Sequence, residues 1–226
     1  MRRYKYLDTL VLVFVVILLV SNLGAQKICR LGPFKISGAQ LLFPLTYIFG
    51  DVFTEVYGYA ASRRAIWMGF LAMALLTGLG SIIVLLPPDP SWHDQAAFAE
   101  IFGFVPRIFA ASLIAYWAGE FTNSYTLARM KLLTNGRWLW TRTVGSTVVG
   151  QAVDTTTVVV LAFWGRTSWS TIGQLILWAY LGKVLYETAA TPLTYWVVGR
   201  LKSSEHADAF DRDQNFSPFA LSSQAD

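Results

Sequence analysis

Leu10 to Gln26 reads Leu-Val-Leu-Val-Phe-Val-Val-Ile-Leu-Leu-Val-Ser-Asn-Leu-Gly-Ala-Gln, with no charge between Asp8 and Lys27. A helix needs about 20 mostly apolar residues to cross a bilayer. This run is close to that length and too apolar for a cleaved leader, and no small-residue cleavage site with a soluble domain follows it. It is read as a retained first span. Working outward, Ile36 to Tyr57 is apolar apart from Asp51 and Glu55, and Ala65 to Leu86 carries no charge and stops at Pro87 and Pro88. Ile108 to Ala128 is interrupted by Glu120, Val144 to Trp164 by Asp154, and Thr171 to Val198 by Lys183 and Glu187. The expected fold class is all-α: a polytopic membrane protein with six transmembrane helices over residues 1–202. A polar tail, residues 203–226, then extends as a solvated segment on the cytoplasmic side.

Composition agrees. Of 226 residues 54% are hydrophobic and 14% charged, against roughly 25% charged in soluble domains. That excludes a disordered chain, a coiled coil and an ordinary soluble enzyme. The single Cys29 excludes an internal disulfide and a cysteine-based zinc cluster. His93 and His206 read as surface residues, so no metal and no cofactor are expected. A formal charge of +4 would suit a nucleic-acid partner, but the basic residues sit between the apolar runs, where membrane topology puts them. With the N-terminus inside, twelve Lys and Arg fall on inner segments, among them Arg2, Arg3, Arg63, Arg64 and Arg142. Five fall on outer ones: Lys27, Arg30, Lys35, Arg107 and Arg166. Both termini are thus expected in the cytoplasm, and an inverted repeat of two three-helix halves stays open.

The charges inside spans carry the functional signal. A central charged residue costs roughly 2.5–3.5 kcal/mol in an inserted helix. Three central acids would then cost about 8–10 kcal/mol, comparable to a whole protein's stability. They must therefore face a bundle interior, pair, or line a wet cavity. Helical spacing groups them: Tyr47, Asp51 and Glu55 four apart; Trp117, Glu120 and Asn123 three apart; Gln151 and Asp154 three apart; Tyr180, Lys183 and Glu187 three and four apart. Four polar stripes on apolar helices point to one polar cavity. Structural alternatives stand beside this. Lys183 and Glu187 could be a plain intrahelical pair, Arg63 and Arg64 could neutralise Asp51 and Glu55, and Trp117 and Tyr47 could only pack. Gly78, Gly80, Gly145 and Gly150 read as helix-packing positions.

Acids, amides and aromatics together suit a flat solute. A carboxylate accepts two N–H donors from a guanine-like edge, an amide or Lys183 complements a carbonyl, and rings stack on a heterocycle. Amino acids, polyamines or metal cations could use the same groups. No zinc-protease, nucleophile-elbow or P-loop sequence is present, so the chain reads as no enzyme.

Ser21-Asn22-Leu23, Lys27, Phe43-Pro44-Leu45-Thr46-Tyr47-Ile48, Asp51, Glu55 and Tyr57-Gly58 resemble the queuosine precursor transporter family, grouped with vitamin-uptake-like transporters. The likeness continues through Glu120 with Asn123, Arg142, Gln151 with Asp154, Lys183 with Thr191-Pro192-Leu193, and Asn215-Phe216-Ser217-Pro218-Phe219. It implies import of 7-cyano-7-deazaguanine and its aminomethyl relative across the bacterial inner membrane. On that likeness Glu120 or Asp154 takes N1–H and the 2-amino group, and Asn123 or Gln151 the carbonyl. Trp117, Tyr47 or Tyr180 stacks, while Asp51 and Glu55 hold the aminomethyl cation or assist gating. Lys183 and Glu187 complete the expected set. The alternatives are a substrate-binding subunit of an importer driven by a separate ATPase module, and a receptor or scaffold that only binds. The bulky first helix offers no small-residue face for such a module, which favours a solitary transporter, and the small size favours a homodimer in the lipid bilayer.

Overall fold

The computed structural model describes residues 4–24, 27–31, 34–103, 106–166, 168–212 and 214–220. Arg2 and Arg3 of the charge count lie outside the described residues, as do Asp213 and residues 221–226 of the tail. Seven α-helices carry the described chain: α1 Leu7–Gly24, α2 Phe43–Val52, α3 Tyr59–Leu85, α4 Gln95–Phe102, α5 Pro106–Leu133, α6 Leu139–Phe163 and α7 Trp169–Glu205. Of these, α1, α3 and α6 are long and apolar enough to cross a membrane by length and composition. The helices α5 and α7 have the length, at 28 and 37 residues, and carry the polar stripes instead.

The second expected span needs correction. Ile36 does not begin a helix: β1 (Ile28–Leu31) and β2 (Phe34–Ser37) form an antiparallel hairpin, followed by a 3-10 turn over Gly38–Leu41. The fold is helical with one small hairpin, and α2 is only 10 residues long. That is about 15 Å of helix, half the hydrocarbon thickness. Proline at its first turn favours its start. It runs on into a π-helical turn, Phe53–Tyr57, which Gly58 ends at φ 87°. Beyond Pro87 and Pro88 the connection from α3 to α5 folds the short helix α4.

Small residues bring α5 and α6 together. A Cβ on Gly119 would lie 2.6 Å from that of Asp154, and one on Gly150 2.7 Å from that of Asn123. Only glycine lets these backbones approach so closely. Gly78, by contrast, has open space around it. On the other side of the bundle Phe14 of α1 packs edge-on against Phe53 at 5.6 Å, and Tyr57 and Tyr59 join the same apolar core. The tail is docked rather than solvated. Asp211 accepts from the Tyr59 N–H at 3.0 Å and so caps α3, and Arg63 donates to the Asn215 and Ser217 carbonyls at 2.9 and 3.0 Å.

Candidate functional site

A cavity of about 210 Å³ lies among α1, α2, α3, α5, α6 and α7. A ~150 Å³ cavity holds benzene, so this one has room for a bicyclic heterocycle. Six of the expected residues line it: Tyr47, Glu120, Asn123, Gln151, Asp154 and Lys183. Asn22, Thr46, Ser112 and Tyr116 also line it and were missed in the sequence reading. Asn22 had a signal, as an amide inside the first apolar run.

The lining is rich in acceptors without donors. Glu120 Oε2, Asn123 Oδ1 and Gln151 Oε1 are buried with no hydrogen-bond partner. A buried acceptor costs about 1–3 kcal/mol unless a donor reaches it, so these three, side by side in the cavity wall, are placed to accept from a solute. Asn123 is held from behind, its Nδ2 donating to Asp51 Oδ1 at 3.3 Å. Across the cavity the Lys183 ammonium donates to Asp154 Oδ2. The intrahelical Lys183–Glu187 pairing is therefore not the one formed. Glu187 Oε1 instead accepts from Thr147 Oγ1 at 2.6 Å.

Four expected residues lie elsewhere, and Glu187 sits a turn from the cavity wall. Asp51 is buried behind Asn123 and does not line the cavity. Trp117 faces α3, with its ring 6.1 Å from that of Trp67 and 5.2 Å from that of Phe121. Tyr180 stands half-buried on α7 and is not part of the lining. Glu55 departs furthest. It is 0% exposed, and its Oε1 meets Arg142 Nη2 and Lys202 Nζ at 2.7 Å each and Lys131 Nζ at 3.4 Å. Lys131 and Lys202 also reach Asp208 of the tail, at 2.5 and 2.8 Å. Arg63 and Arg64 take no part, since Arg63 holds the tail and Arg64 approaches Asp8 at 3.9 Å.

A bundle of membrane-length helices around a polar chamber of solute size is the build of a small-molecule carrier. Residues 37–197 match the family model described as "Putative vitamin uptake transporter". The chain belongs to that family, as a multi-pass transporter of the bacterial inner membrane and not an enzyme. It is 29% identical over 176 residues to the "Probable queuosine precursor transporter" of Bacillus subtilis (strain 168), covering 77% of each chain. It is 27% identical over 163 residues to the "Queuosine precursor transporter" of Escherichia coli (strain K12), covering 72% of this chain and 71% of the relative. No solved structure matches.

Proposed function

We propose that this protein imports queuosine precursors, namely 7-cyano-7-deazaguanine and 7-aminomethyl-7-deazaguanine, and binds the base in the α5–α6 cavity. The observation that carries this is the row of acceptors that Glu120, Asn123 and Gln151 bring to the cavity wall, with no hydrogen-bond partner in the protein. A deazaguanine brings N1–H and the 2-amino group side by side on one edge, and N9–H on its five-membered ring. Glu120 takes two of these side by side, as carboxylates do, and the amide oxygens take the rest. Lys183 turns from Asp154 to the exocyclic carbonyl, which frees Asp154 for the aminomethyl cation. Tyr47 stacks on the ring. The two relatives named for queuosine precursor transport support this choice over amino acids or polyamines.

The finer topology belongs to the same proposal. The chain crosses six times over residues 1–202, with Phe43–Tyr57 as a short crossing backed by the hairpin. Both termini and the tail of residues 203–226 are cytoplasmic, as the excess of Lys and Arg on those segments requires. The large aliphatics exposed along α1, among them Leu12, Val16 and Val20, favour a protein that works without an ATPase module, as a homodimer in the bilayer. The test is uptake of labelled 7-cyano-7-deazaguanine into proteoliposomes containing only this chain. Saturable uptake is expected, stronger or weaker with an imposed proton gradient if a carboxylate carries the proton. Absence of any saturable uptake in sealed vesicles, with the protein folded, would refute solitary transport.

A further inference from the structure

The joint between α2 and α3 is irregular and is covered by the tail. The π turn Phe53–Tyr57 is wider than the α-helix it continues, and Gly58 breaks the helix at φ 87°. Such turns mark functional irregularities in helices. The tail sits directly on it. The Ala209 N–H donates to the Val56 carbonyl at 3.3 Å, and both Asp211 carboxylate oxygens accept from the Tyr59 N–H, at 3.1 and 3.0 Å. A Cβ on Gly58 would come within 2.9 Å of Asp211, so the tail lies against the hinge glycine itself.

The same segment completes the Glu55 cluster. Glu55 gathers Lys131 of α5, Arg142 of α6 and Lys202 of α7 beside its own hinge turn. These are the elements that wall the cavity, so spreading them at this end breaks the cluster. Glu55, Lys131 and Arg142 are buried, whereas the Asp208 side chain is 47% exposed and bridges the two lysines. Asp208 is thus the member that exchanges with water at least cost. Beyond it, the Tyr59 hydroxyl donates to the Phe216 carbonyl and the Trp67 indole to that of Pro218. Phe219 stacks 5.6 Å from Trp117, one turn before Glu120 on α5.

We propose that residues 207–212 and 214–219 form a latch on the α2–α3 hinge, and that the cavity opens toward this end when the latch leaves. Docked, the segment holds α3 to α5 and adds the second acid that three cations need. Undocked, it leaves one carboxylate among three cations, whose repulsion favours separation of α5, α6 and α7. The purpose of the latch rests on the transport reading, but its motion does not.

The test uses Thr147→Cys in a Cys29→Ser chain in nanodiscs. Thr147 is buried on α6 between the cavity residue Gly150 and the cluster residue Arg142. Its labelling by a membrane-impermeant maleimide reports opening at this end. Three chains are compared: one with the full tail, one with Asp208→Asn and Asp211→Asn, and one ending at His206. At least tenfold faster labelling is expected in both released forms, and a synthetic peptide of residues 207–220 should slow it again in the shortened chain. If the shortened chain does not fold, the paired substitutions decide alone. Equal labelling with and without a docked tail overturns the latch. The labelling involves no solute, so altered labelling without uptake would sink the substrate reading and leave the latch standing.

Discussion

Two buried acids, Glu120 and Glu55, face the same penalty and meet it in opposite ways. Glu55 is enclosed by Arg142, Lys202 and Lys131, with one oxygen at 2.7 Å from two cations. Each acid also keeps one buried oxygen, Oε2, without a hydrogen-bond partner in the protein, but Glu120 forms no ion pair among the described residues and lines a cavity beside Asn123 and Gln151. One helix serves both regions, since α5 carries Glu120 and Lys131, about three turns apart. A carboxylate that gathers cations from three helices holds the bundle together. A carboxylate with no cation beside it, set in a cavity wall, is available to a solute. The difference separates a lock from a binding site without reference to any relative.

That contrast can be broken most forcefully at the lock. Glu55→Ala leaves three cations packed together, and removing one partner of a buried ion cluster costs about 3–5 kcal/mol. Loss of most folded protein is expected, read by thermal unfolding in detergent. Next in size is Glu120→Gln, which keeps the shape and removes the charge. Hydrogen bonds to charged groups are worth about 1.5–3 kcal/mol, so uptake should fall roughly 10- to 150-fold with the unfolding temperature nearly unchanged. Gly119→Ala sharpens the comparison from the packing side. Its new methyl would press on Asp154, and forced overpacking costs about 1–3 kcal/mol. Weaker solute binding is expected with only modest loss of stability.

The smallest effect is at Asp208. Burial disfavours its charge, but the hydrogen bonds and charges of Lys131 and Lys202 prevail and hold its carboxyl below the usual range. A depressed carboxyl stabilises the docked tail above the unfolded value of about 3.9 and loses that contribution as pH falls through the lowered one. The difference in Thr147→Cys labelling between the native tail and Asp208→Asn should therefore be present at neutral pH and vanish in acid.

The acids themselves were legible in the sequence, because a charge inside an apolar run has no cheap explanation. Spacing placed Glu120 with Asn123 and Gln151 with Asp154 correctly, since α5 and α6 are regular there. The same rule misplaced Glu55. Its spacing of four from Asp51 puts both on one α-helical face, but the π turn over Phe53–Tyr57 adds residues per turn and rotates Glu55 away. Lys131 and Lys202 belong to the twelve basic residues on inner segments that set the topology, which hides them as its partners. Trp117 shares a helical stripe with Glu120, yet it sits at the edge of that stripe and turns to Trp67. The close approach at Gly119 and Gly150 left only a weak trace, two small residues on helices whose pairing was unknown. The tail gave a clearer sign, since Phe210, Phe216 and Phe219 are aromatic in a largely polar segment and all three are used in docking.

The most direct test of the central claim is equilibrium binding of 7-cyano-7-deazaguanine to the purified chain and to Glu120→Gln, each checked for native unfolding temperature. Saturable binding to the native chain is expected, with at least tenfold weaker binding to the equally stable variant. Equal affinity in the two would contradict it, because the open acceptors of the cavity would then not be what holds the base.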